Sequence, residues 1–238
     1  MTTPDHALST VRARIEAACR EAGRDPDSVR LLAVSKTRGA DEIRALHALG
    51  QSAFGENYAP ELVDKYDTLE AAPAPLGLEW HFIGALQGNK TRAVAERAAW
   101  VHTVDRERIA RRLSDQRPEG MPPLQVCLQV NISEEPQKAG VAPGEVAALA
   151  AAVQDLPGLA LRGLMAIPAT AADIPLQREP FARLRALLDT LNAGGHSLDT
   201  LSMGMSGDLE AAILEGATIV RIGTALFGPR QPKCKEST

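Results

Sequence analysis

Residues 31–36 read LLAVSK, a nearly unbroken apolar run that closes on a lysine. LQVCLQVN at 124–131 and TIVRIG at 218–223 have the same character. Strands covered on both faces look like this, because neither face needs polar residues, and parallel sheets flanked by helices are where such strands occur. Working outward, further strand-like runs lie at 53–56, 79–84, 100–104, 161–168 and 200–205, and the last apolar run gives a strand at 219–223. Between them fall helical stretches at about 41–49, 58–70, 89–98, 106–115, 143–154, 176–192 and 207–216. Strands that alternate with helices pair in parallel through helical crossovers.

Eight such units in 238 residues predict a closed (β/α)8 TIM barrel of α/β class. No GxGxxG follows the first strand, which argues against an open dinucleotide-binding sheet. Ahead of the barrel, Leu8, Val11, Ile15, Ala18 and Cys19 recur at helical spacing and predict an extra amphipathic N-terminal helix. The expected organisation is one domain over residues 1–238, with a polar tail from about 229.

Composition excludes several classes. Hydrophobic residues make up 45% and charged residues 24%, a globular balance without a membrane-length apolar run. Net charge is −4 with both signs interleaved, so no nucleic-acid or membrane partner is expected. The N-terminus lacks a basic segment followed by an apolar core, so it does not read as a secretory signal. Cys19, Cys127 and Cys234 are far apart and form no CxxC or His/Cys cluster. Neither a metal site nor a disulfide framework is indicated, and a reducing cytoplasm is the natural compartment.

In this fold the active site lies at the C-terminal ends of the strands. That rule selects Lys36, Glu56, Asn57, Gly84, Asn131, Pro168, Met205, Ser206, Gly223 and Thr224. Lys36 shares a strand face with Leu32 and Val34 by period-two alternation. If that face lines the barrel, desolvation favours its free amine, the form that attacks a carbonyl; otherwise it is a lysine at a solvent-facing strand end. Ser206 reads as an N-cap for a helix starting at Gly207. Gly223 and Thr224 follow the last strand, and the loops after strands seven and eight often bind phosphate in this fold. The plain alternative is ordinary capping beside a turn glycine. Arg221 lies inside an apolar strand and needs a partner: a structural carboxylate, or an acceptor such as a pyridine nitrogen. Asn57 either touches a ligand or caps the helix starting near Tyr58. His81 reads as a satisfied core histidine, Lys90 and Arg92 as a solvated helix start, and Asn131 as a loop-bonding residue.

Several stretches then form a pattern in order: AVSKT around Lys36, FGENY at 54–58, WHFIGALQGNKTR at 80–92, QVNIS with Lys138 and Gly140, GLMAIP at 163–168, and the block 202–228. Over about residues 5–228 the sequence resembles the pyridoxal phosphate homeostasis proteins, single-domain relatives of the alanine racemase N-terminal domain. The resemblance implies a Schiff base between Lys36 and pyridoxal 5'-phosphate. It implies a phosphate cradle at Ser206, Gly207, Gly223 and Thr224, with Arg221 facing the pyridine nitrogen. It also implies Asn57 near the cofactor and Met203 packed near its ring. Leu226 and Gly207 depart conservatively from the family pattern.

Three functions are compatible with such a site. The resemblance favours a non-catalytic carrier or buffer of the cofactor in vitamin B6 and amino-acid homeostasis, a monomer meeting cofactor-dependent apoenzymes transiently. An amino-acid racemase needs an acid/base on each face of the substrate. Lys36 serves one face. Alanine racemase draws the other, a tyrosine, from a C-terminal domain that this chain is expected to lack. A Schiff-base aldolase needs a nearby acid/base, and the sequence identifies none.

Overall fold

The computed structural model describes residues 3–70 and 74–229. The expected polar tail from 230 on, and Cys234 with it, lie outside the described residues. Eight strands form a closed barrel in sequence order, every neighbouring pair parallel. They are β1 (Arg30–Val34), β2 (Ala53–Glu56), β3 (Glu79–Phe82), β4 (Trp100–Val104), β5 (Leu124–Gln129), β6 (Leu159–Met165), β7 (Thr200–Ser202) and β8 (Ile219–Ile222). The predicted fold class is therefore the observed one.

Helix α1 (Pro4–Glu21) precedes the barrel, as its spacing predicts, and buries Leu8, Val11, Ile15, Ala18 and Cys19. Thr3 starts it: its hydroxyl accepts from the His6 N–H at 3.3 Å, and Pro4 occupies a first-turn position where a missing N–H costs nothing. The crossover helices are α2 (Ala40–His47), α3 (Ala59–Leu69), α4 (Thr91–Ala95), α5 (Glu107–Gln116), α6 (Val146–Val153), α7 (Ile174–Ala193) and α8 (Leu209–Leu214). A four-residue α9 (Thr224–Phe227) follows β8 and has no counterpart among the predicted helices. Helix α1 packs on α8, α9 and α2 and covers their flank of the barrel.

Strand alternation divides the core in two. Leu32, Val34, Ala53, Ile83, Trp100, Cys127, Met165 and Ile219 fill the barrel interior. Their strand neighbours, among them Ala33, Phe54, Val101, Val126 and Val220, face the helices. Strand β7 stops at Ser202 because the chain turns at Gly204, where φ is +92° and a Cβ would stand 2.6 Å from that of Ala212. Only glycine makes that bend, which hands the chain from strand to loop beside the last strand.

Candidate functional site

Leu32 and Val34 belong to the interior cluster, and Lys36, two residues past the end of β1, is partly buried. A buried ionic cluster that the sequence reading missed holds the chain on either side of it. Lys65, on α3, donates to the Ser35 carbonyl at 2.8 Å and to Glu56 Oε1 at 2.7 Å. The Ser35 hydroxyl donates to the same carboxylate oxygen at 2.6 Å. Glu61 accepts from the Thr37 N–H at 2.8 Å, and Thr37 has a φ of +64°, a costly conformation for a β-branched residue. The residue before Lys36 and the residue after it are thus both tied to α3.

Glu56 is fully buried, and burial pushes its carboxyl up to about 7 even though Lys65 opposes the shift. Its folded-state value lies above its unfolded one, so its contribution favours folding at low pH. That contribution should fade between pH 4.5 and about 7. Urea unfolding across this window checks the sign: Glu56→Gln should flatten the decline, and a decline of unchanged slope would contradict the assignment.

Arg221 projects into the barrel from β8 and is 4% exposed. Neither a carboxylate nor a bulk-water position satisfies it. Nη1 donates to Ser202 Oγ at 2.7 Å and Nη2 to the Ala166 carbonyl at 2.9 Å. Burial pulls its pKa down to about 10, still cationic at neutral pH. The fork carries five donors, and these two bonds use two of them. Ser202 leads on to His102 and His81, both fully buried; the sequence reading of His81 as a satisfied core histidine holds.

Two loops close the same end of the barrel. Ser206 does not cap α8, contrary to the expectation: that helix starts at Leu209, preceded by Asp208. The Ser206 hydroxyl instead accepts from the Ala225 N–H of α9 at 3.3 Å, which ties the β7 loop to the β8 loop. Asp208 Oδ1 accepts from the Met205 N–H at 2.6 Å, and Arg14 of α1, paired with Glu210, donates to the Ser206 carbonyl at 3.0 Å. Gly207 is exposed and a Cβ there would meet nothing within 4 Å; Gly223 is partly buried beside Val34, and Thr224 is exposed. Ser206, Gly207, Gly223 and Thr224 therefore belong to two loops in contact.

Asn57 does not cap α3, whose preceding residue is Tyr58 without a side-chain cap. Its Oδ1 is buried with no hydrogen-bond partner among the described residues, a costly state that a ligand donor would relieve. Gly84 packs against it so closely that a Cβ would lie 1.8 Å from the Asn57 carbonyl oxygen. Met203 is fully buried in the core cluster, one residue past the end of β7. Asn131 bonds the Glu135 carbonyl at 2.8 Å, the loop contact expected of it, and Lys90 and Arg92 are exposed. No group of three metal-ligating side chains exists among the described residues.

Residues 7–231 of this closed parallel barrel match the model described as "Alanine racemase, N-terminal domain", and the chain belongs to that class. Within that class the chain belongs to the pyridoxal phosphate homeostasis protein family. It is 59% identical to the Pseudomonas aeruginosa protein of that name, with 97% of each chain covered. An unknown protein from Bifidobacterium adolescentis superposes with a TM-score of 0.86 at 36% identity, covering 94% of each chain. PipY of Synechococcus elongatus, solved with pyridoxal phosphate bound, superposes with a TM-score of 0.77 at 36% identity, covering 90% of this chain and 100% of PipY.

Proposed function

We propose that this chain binds pyridoxal 5'-phosphate at the C-terminal mouth of its barrel and acts as a non-catalytic cytoplasmic carrier in vitamin B6 and amino-acid homeostasis. The observation that carries this reading is Arg221, a buried guanidinium anchored by a hydroxyl and a carbonyl, with donors to spare beyond those two bonds and the Asp208 carboxylate near enough to favour its charge. A permanently protonated donor suits an unprotonated pyridine nitrogen. The bound structure of PipY supports the choice of ligand.

Bound pyridoxal phosphate supplies an aldehyde carbonyl, which a lysine amine holds as a Schiff base. Lys36 is the lysine assigned to it. The Glu56–Lys65–Glu61 cluster sets the backbone of residues 35–37 and so aims that amine. Ser206, Gly207, Gly223 and Thr224 hold the phosphate through backbone N–H groups, which suit an anion where they lack partners. The orphaned Asn57 oxygen accepts from the ligand side. Residues 1–238 act as one binding domain and as a monomer, and apoenzymes that need the cofactor are its transient partners.

The test is a titration of purified protein with pyridoxal phosphate, followed by its visible absorbance and by transfer to an apoenzyme. The bound band should appear at one equivalent, be lost in Lys36→Ala, and disappear as the apoenzyme gains activity. A band of equal strength in Lys36→Ala would contradict the reading.

Gly223→Val probes the phosphate end. Gly223 has a φ of −113°, open to any residue, and a Cβ there meets the Val34 carbonyl at 3.4 Å, an ordinary contact. The fold should survive while the side chain blocks close backbone approach. Affinity should fall about tenfold or more, equivalent to about 1.4 kcal/mol. Unchanged affinity would remove the phosphate from this loop.

A further inference from the structure

Glu79, His81, His102 and Ser202 form an unbroken polar chain through the barrel interior and end on Arg221. Glu79 Oε1 lies 2.6 Å from His81 Nε2, His81 Nδ1 lies 2.8 Å from His102 Nε2, and His102 Nδ1 lies 2.7 Å from Ser202 Oγ. Arg221 Nη1 closes the chain on the same hydroxyl at 2.7 Å. At the other end Glu79 pairs with Arg30 at 2.6 Å, at the N-terminal rim of the barrel. His81 is further fixed by stacking on Trp100, ring centroids 5.5 Å apart and planes within 2°.

The two ends dictate the proton positions between them. Arg221 can only donate, so Ser202 Oγ accepts from it. Glu79, held ionised by His81 and Arg30, can only accept, so His81 Nε2 carries hydrogen. One arrangement then satisfies every atom with both imidazoles neutral: Ser202 O–H donates to His102 Nδ1, His102 Nε2–H donates to His81 Nδ1, and His81 Nε2–H donates to Glu79. Full burial drives both histidines toward the neutral form, His102 the more strongly, as this arrangement requires.

We infer that Glu79, His81, His102 and Ser202 are positioning residues for Arg221: a one-way run of hydrogen bonds across the barrel turns the Ser202 lone pair toward Nη1 and fixes the direction of the guanidinium that would meet the cofactor's ring nitrogen. The inference rests on the reading that Arg221 meets the pyridine nitrogen. Without the histidines the Ser202 hydroxyl would rotate freely, and its hydrogen would compete with Arg221 for the same oxygen. Because Ser202, His102 and His81 each donate and accept, the run polarises cooperatively from cation to anion. It links Arg221 through hydrogen bonds to a counter-charge at the far end of the barrel, in addition to the charge of Asp208.

Two measurements test this. Nitrogen-15 NMR of the histidine rings in the cofactor-free protein needs no variant. Both His81 and His102 should be neutral with hydrogen on Nε2; a cationic His81, or hydrogen on His102 Nδ1, reverses the run and overturns the inference. The second measurement compares affinity for pyridoxal phosphate with affinity for its analogue in which C–H replaces the ring nitrogen. The wild-type chain should prefer the natural cofactor about tenfold, the worth of one charge-assisted hydrogen bond. In His102→Phe and Ser202→Ala that preference should shrink to about twofold or less. A merely structural role would weaken both ligands alike and leave the preference intact, which overturns the inference. No preference in the wild-type chain removes Arg221 from the nitrogen and overturns the reading beneath it.

Discussion

Lys65→Met should destabilise the chain by about 3–5 kcal/mol near pH 8, the usual result of stripping one partner from a buried ion pair. Lys65 and Glu56 are both buried, 2.7 Å apart, and the second oxygen of Glu56 already has no partner. Without Lys65 the buried carboxylate would keep only the Ser35 hydroxyl as a hydrogen-bond donor and would have no counter-charge at that distance. The loss should shrink below about pH 6, because the carboxyl then enters the fold as a neutral acid, and its value of about 7 can only rise once the ammonium is gone. Glu56→Leu combined with Lys65→Met should recover most of the stability, since both charges leave together. Urea unfolding of the three chains reads this directly. Cofactor affinity should not recover in the double variant, because the tie from Lys65 to the Ser35 carbonyl is still missing beside Lys36. Full recovery of both would mean that the cluster stabilises the fold without aiming the lysine.

Racemase turnover with alanine should be at least about 10²-fold below ordinary enzyme rates of about 1–10³ per second. Lys36 can take a proton from one face of a bound amino acid. Returning it to the opposite face needs a second placed group, worth roughly 10²–10⁴ in rate. The two tyrosines do not supply it. Tyr66 sits on α3, on the helix side of the strands, under Arg97 at 5.9 Å. Tyr58 is 58% exposed and lines a surface cavity with Asn57 and Lys90 rather than the barrel interior. Arg221, a cation at neutral pH, also opposes protonation of the ring nitrogen and so weakens the ring as an electron sink. Racemisation and α-proton exchange in deuterated water check this, and enzyme-like turnover lost in Lys36→Ala would contradict it.

Much of this was legible in the sequence, and the failures share a cause. Strands β2 and β4 begin and end where their apolar runs do. Strands β3 and β6 stop short of theirs, since Ile83 and Ala166 remain buried after the strand ladder has ended, and composition records burial rather than pairing. Arg221 announced itself as a charge in an apolar strand, but a lone sequence cannot show that Ser202 and Ala166 receive it. Ser206 was misread because capping was sought in the nearest helix, whereas its partner, Ala225, lies 19 residues on. The Glu56–Lys65 pair and the two histidines are contacts made through space. A faint signal existed for the latter, since His102 shares a strand face with Trp100, and Trp100 pairs in register with His81.

Borohydride reduction of the pyridoxal phosphate complex, followed by peptide mapping, tests the central assignment most directly. The reduced adduct should map to Lys36, with one cofactor per chain. An adduct found mainly on Lys90, exposed at the start of α4, or on Lys138, in the loop beyond β5, would contradict it.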